Sequence, residues 1–180
     1  MAVAYEQRPV MALSSKVEEL FAKHHARVLR AAYRITGSMA DAEDVAQSVF
    51  LRIAQSGDER IENAESYLYR AAINGALDVV RRRQSEHSLP IEVVEHTAVA
   101  KEISPERAMQ SADLRSWLRV ALAELSPRSA EMFVLRYLEE HDNREIARMM
   151  ATSQAVVAVT LHHARARLKM KLRTYMRGER

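Results

Sequence analysis

No cysteine occurs anywhere in the 180 residues, which excludes a disulfide framework, a thiol nucleophile and any cysteine-ligated zinc site. Glycine and proline are scarce too, with four of each. With so few breakers and almost no alternating apolar–polar runs, the chain reads as almost wholly helical. No apolar run approaches the roughly 18 residues of a membrane span. Glu6, Arg8, Ser14, Lys16, Glu18 and Glu19 interrupt the first twenty residues, so no signal-peptide core forms there, and a cytoplasmic location is expected. A glycine-rich phosphate loop and a nucleophile–base–acid set are also missing, and a non-catalytic role is expected. His24–His25 and His162–His163 are adjacent pairs, and neighbours on a helix point about 100° apart. Neither pair presents both rings to one ion, so the expectation is no metal and no other cofactor.

What is present is charge, unevenly placed. The formal net charge is +3, but residues 126–180 carry 11 basic and 6 acidic side chains, against 4 and 7 in residues 85–125. Residues 1–84 are nearly balanced, with 12 and 11. A basic C-terminal segment behind an acidic middle is the pattern of a nucleic-acid module on a tether.

Helical spacing of Val17, Leu20, Phe21, Val28, Ala31, Ala32 and Ile35 predicts a first helix over 15–36, stopped by Gly37. Ser38 is placed to cap a second helix with Asp41, Glu43 and Asp44 in its early turns. Its buried stripe is Ala42, Val45, Ala46, Val49, Phe50 and Ile53, and Gly57 is expected to end it. A third helix runs from about Glu65 to Arg83, with Leu68, Ala71, Ala72, Ala76, Val79 and Val80 on its apolar side. Periodicity then fails, and residues 85–104 read as an acidic linker. Helix restarts at Ser104–Pro105 and again at Ser126–Pro127, with Met132, Phe133, Leu135 and Tyr137 facing inward. Asp142 and Glu145 form a capping-box pair. The expected architecture is all-α: two small helical domains, 15–84 and 105–180, joined by the linker.

The stretch "SQAVVAVTLHHARARLKMK" (Ser153 to Lys171) draws the most attention. On a helical wheel Val157, Leu161, Ala164 and Leu168 share a core stripe, opposite Ala155, Val159, His162 and Ala166. Paired with the short helix before it, across the turn "ATS", this is a helix-turn-helix unit. Two packed helices of an ordinary bundle would show the same stripe; the late cluster Arg165, Arg167, Lys169, Lys171 and Arg173 favours nucleic acid.

"SPRSAEMFVLRYLEEHDNREIARMM" followed by "LHHARARL" resembles the C-terminal domain (region 4) of extracytoplasmic-function sigma factors of bacterial RNA polymerase, within the sigma-70 family. "GSMADAEDVAQSVFLRI" and "AESYLYRAAINGALDVVRRR" are similar to the N-terminal domain (region 2) of the same family. The resemblance implies a dissociable subunit that binds core polymerase and directs promoter-specific initiation in a stress or envelope response. Core contact then falls by position to Asp44, Gln47, Phe50 and Arg52, although Asp44 also caps and Phe50 also packs. Ser48 stands where the family commonly has an acid. Melting and reading of the minus-ten element falls to Tyr67, Tyr69, Arg70, Asn74, Arg81 and Arg82. A flipped base would sit between the loop 57–66 and the Asn74 amide, with Tyr67 in place of the usual tryptophan. Asn74 beside Gly75 also reads as a plain weak point in the helix.

The minus-thirty-five element falls to Arg144, Thr152, Ser153, Gln154, Ala158, Val159, His162, His163 and Arg165, with Arg128 and Arg167 adding phosphate contacts. Here the departure from the family is clearest, since Ala158, Val159 and Thr160 replace the frequent Lys or Arg, Ser and Arg. His163 replaces a frequent arginine. Either Val159 meets a thymine methyl, or Val156 and Val159 pack against a protein. Partners implied are core RNA polymerase, promoter DNA and an anti-sigma protein. The rival reading is a stand-alone helix-turn-helix regulator, which would not need the first domain.

Overall fold

The computed structural model of the chain describes residues 10–56, 63–86 and 105–178. They form α1 (Val10–Thr36), α2 (Met39–Ser56), α3 (Ala64–Glu86), α4 (Pro105–Ala123), α5 (Pro127–Tyr137), α6 (Asn143–Met149) and α7 (Gln154–Gly178). The fold is all-α. Gly57, Ser104, most of the linker and the loop residues 57–62 lie outside the described residues.

The first bundle is α1, α2 and α3, packed each against the others. Gly37 adopts φ +70° and its N–H donates to the Tyr33 carbonyl at 2.8 Å, closing α1 in the left-handed cap that glycine favours. Ser38 Oγ then accepts the Asp41 N–H at 3.3 Å and starts α2. The predicted stripe of α2 is buried throughout, against Val28, Ala31, Ala32 and Ile35 of α1. Many of these side chains are alanines, so the backbones come close. A Cβ on Gly75 would lie 3.2 Å from Val45 Cγ1, so this glycine fits tight packing of α3 on α2 rather than a weak point in the helix.

The second bundle is α5, α6 and α7, with α4 laid against α3 as well as α5 and α7. Ser126 Oγ accepts the Ser129 N–H, and Pro127 opens α5. Asp142 and Glu145 form the predicted capping box: Glu145 N–H to Asp142 Oδ1 at 2.7 Å, Asp142 N–H to Glu145 Oε2 at 2.9 Å. A seven-residue helix is too short to stand alone. Ile146 and Ala147, buried against α7, hold it. On α7 the buried residues are Val157, Leu161, Ala164 and Leu168, as the wheel predicts.

The differences from the sequence reading are local. α3 continues to Glu86, beyond the expected Arg83, and takes the first two linker residues with it. It also buries Tyr69, Ile73 and Leu77 beyond the stripe predicted for a surface helix. The extra burial follows from contact with α4 and α5 along a second face. Tyr137 and Phe21, expected to face inward, are exposed.

Candidate nucleic-acid interface

The outer face of α7 is open. Val156 and Val159 are 44% and 57% exposed, an unusual state for valine, and Gln154, Ala158, His162, His163, Arg165 and Arg167 are exposed beside them. Ser153 Oγ accepts the Val156 N–H at 3.2 Å, so this hydroxyl caps the helix. Thr152 is half-buried at the turn, and Arg144 is exposed on α6. The Glu145 backbone N–H holds the Asp142 carboxyl below the usual aspartate range, so the α6 cap stays ionised further into acid than a free aspartate. The arrangement is a firm two-helix frame presenting small apolar side chains flanked by histidines and arginines.

The α3 face is built differently. Tyr69 is 3% exposed: Arg27 lies over its ring at 4.5 Å, His141 meets it edge-on, and its hydroxyl donates to Glu139. Arg70 donates to Glu131 Oε1 at 2.6 Å through Nε, and to the Met149 carbonyl at 2.9 Å through Nη1. Arg81 donates to Asp78 at 2.7 Å and to the Ala123 carbonyl at 3.2 Å. Asn74 is half-buried in a cavity of about 470 Å³, lined by Arg70, Arg81 and Asp78 on one side and by Pro127, Arg128 and Glu131 on the other. Tyr67 and Arg82 face outward. Burial pushes the Glu139 carboxyl above its usual range, although Arg34 beside it pulls the other way.

On α2, Asp44, Gln47 and Arg52 are exposed, whereas Phe50 is 5% exposed with its ring edge-on to Phe21 at 4.9 Å. Phe50 thus lies in the core of the first bundle, beneath the exposed Phe21 ring.

Two sequence families match these bundles. Sigma-70 region 2 matches residues 20–86, and Sigma-70 region 4 matches residues 115–168. The RNA polymerase sigma-E factor of Streptomyces antibioticus is 32% identical over 161 residues, which cover 87% of this chain and 84% of that protein. The chain belongs to the extracytoplasmic-function sigma factors of the sigma-70 family. The RNA polymerase sigma-E factor of Streptomyces coelicolor is 31% identical over 158 residues, covering 86% of this chain and 85% of that protein. For the ECF RNA polymerase sigma factor SigW of Bacillus subtilis the figures are 27% over 156 residues, 82% and 83%.

This sigma factor therefore acts with core RNA polymerase and promoter DNA to direct transcription initiation, and a stand-alone regulator is not favoured. Among the described residues no helix is long and apolar enough to cross a membrane. Three residues of the sigma factor escaped the sequence reading. Leu51 is 58% exposed and follows Asp44 and Gln47 along α2 at helical spacing. The other two, Glu131 of α5 and Glu139 in the turn after it, pair with the α3 face, and nothing in the local pattern there distinguishes an acid turned toward another domain from one in solvent.

Proposed function

We propose that the sigma factor divides its work among three surfaces on two domains, residues 15–84 and 105–180, joined by the acidic linker 85–104. Asp44, Gln47, Arg52 and the exposed Leu51 bind core polymerase, with Phe50 holding α2 in shape from beneath. Tyr67, Tyr69, Arg70, Asn74, Arg81 and Arg82 capture the melted minus-ten strand. The α7 face of Gln154, Ala158, Val159, His162 and His163 reads the minus-thirty-five duplex, positioned by Arg144, Thr152, Ser153 and Arg165. The factor itself catalyses nothing, works in the cytoplasm and serves a stress or envelope response under the control of an anti-sigma protein.

The observation that carries the minus-ten assignment is Asn74. It lines a cavity with Arg70, Arg81 and Arg128 and with the carboxylates Asp78 and Glu131, so an amide stands among paired charges in a space open to a base, the polar setting that capture of a flipped base edge uses. Asn74→Ala is expected to weaken open-complex formation by roughly five- to 150-fold, the equivalent of about 1–3 kcal/mol for one lost base-edge contact. Core binding should be unchanged. Permanganate footprinting of a target promoter, beside a core-polymerase binding assay, measures both. Normal melting by the variant would remove Asn74 from the pocket.

A further inference from the structure

The later turns of α7 carry charge that the fold does not use. The Sigma-70 region 4 match ends at residue 168, whereas α7 runs on to Gly178. Residues 154–178 contain no aspartate or glutamate. Arg165, Lys169, Arg173 and Arg177 follow one another at intervals of four, all exposed, and among the described residues no acid pairs with them. Like charges four apart on a helix repel one another and destabilise it. The helix dipole favours cations only in the last turn, which holds Arg177 alone. Lys171 is different, since it faces the bundle and pairs with Glu124 beside α4.

At about 100° per residue all four cations fall within about 60° of His162, on the reading side of α7 and opposite Lys171. The major groove is about 12 Å wide, the length of roughly eight helical residues, so base contacts belong to the first turns, Gln154 to His162. The later turns lie beyond the groove on the same side, where the neighbouring DNA surface is phosphate. Arg165 to Arg177 spans about 18 Å, with a cation about every 6 Å, and each DNA strand offers a charge about every 3.4 Å of axis. Exposed Met170 and Met176 point about 120° apart, so the helix lacks the apolar face that would lay it on a lipid surface. We propose that Lys169, Arg173 and Arg177, continuing from Arg165, form a phosphate clamp on the duplex beside the minus-thirty-five element. The clamp has no base preference. It supplies the charge that Ala158, Val159 and Thr160 do not bring to the reading face. The inference rests on the minus-thirty-five reading above, since only a helix seated in the groove carries its later turns to that backbone.

Lys169→Gln with Arg173→Gln, made in the full chain, removes all three like-charge pairs and leaves Arg177 at the helix end. Thermal unfolding should show no loss of stability, because these cations oppose the fold. Duplexes enriched by the parent chain from a randomised pool supply the probe. Two lost phosphate contacts should reduce the salt slope of binding by about 1.8 units, so the parent's advantage shrinks roughly 12-fold between about 50 and 200 mM salt. Hydroxyl-radical footprints should lose protection at one flank of the enriched element and keep it inside. Gln154→Ala with Val159→Ala tests the reading separately, and should change the enriched sequence while the slope holds. An unchanged slope in the Lys169–Arg173 variant, lowered stability, or a parent chain that enriches no duplex overturns the clamp. So does a variant that loses pelleting with phosphatidylglycerol vesicles and keeps its DNA slope, which would turn the stripe to a membrane. If the slope falls but Gln154→Ala with Val159→Ala enriches the parent's sequence, the minus-thirty-five reading fails and the clamp loses its place beside the element.

Discussion

The two faces assigned to promoter DNA are opposites in this structure. On α3, Arg70 and the Tyr69 hydroxyl are engaged by carboxylates of the second domain, and Tyr69 is buried. On α7, valines, alanines and histidines stand in solvent, with no counterpart packed on them among the described residues. The lesson concerns what each chemistry attracts within its own chain. Donors suited to phosphate and base edges also suit a glutamate, so the charged face finds a substitute partner. An apolar face made of small side chains gains little from any one neighbour, since burying a methyl-sized group contributes only about 0.8 kcal/mol. It stays free until a complementary surface arrives.

The strongest test of the open face contrasts the two sides of α7. Leu161, 4% exposed, belongs to the core stripe, so Leu161→Ala should destabilise the second domain by about 2–5 kcal/mol. Val159→Ala on the outer side should change stability by less than about 0.5 kcal/mol. Denaturant unfolding of both variants measures the difference. Equal losses would show that Val159 is covered in solution, and the contrast between the faces would collapse.

A smaller effect sharpens what the open face reads. If Val159 meets a thymine methyl, replacing that thymine by uracil deletes one methyl and leaves every base-edge donor and acceptor in place. A loss of roughly three- to five-fold in duplex affinity is expected, the equivalent of about 0.8 kcal/mol. Arg165→Ala should act without regard to sequence and reduce the salt slope by about one unit. Binding of the full chain to minus-thirty-five duplexes, scanned thymine by thymine, provides the measurement. If no uracil matters while Val159→Ala disrupts binding of an anti-sigma protein, the valines form a partner surface.

The same contrast explains what was legible in the sequence. The α7 stripe, the Ser126–Pro127 start, the Asp142–Glu145 capping box and the α2 core were all readable, because each depends on neighbours within a few positions. The burial of Tyr69, Ile73 and Leu77 was not, because it depends on α4 and α5, which lie beyond the linker in the chain. Tyr69 illustrates the limit. Its place on α3 follows from periodicity, but its engagement by Glu139 lies 70 residues distant in sequence. Phe50 is the converse case, where the resemblance suggests a surface role and the apolar stripe correctly puts the ring inside.

The most direct test of a closed α3 face beside an open α7 face is hydroxyl-radical footprinting of the free, full-length chain. Tyr67 and Tyr69 lie two residues apart on one helix, 39% and 3% exposed, so the pair supplies its own control. The structure predicts that Tyr67, His162 and His163 are labelled and Tyr69 is protected, and that Tyr69 becomes labelled in Arg34→Glu while the histidines do not change. Labelling of Tyr69 as readily as Tyr67 in the unmodified free chain would contradict the closed face.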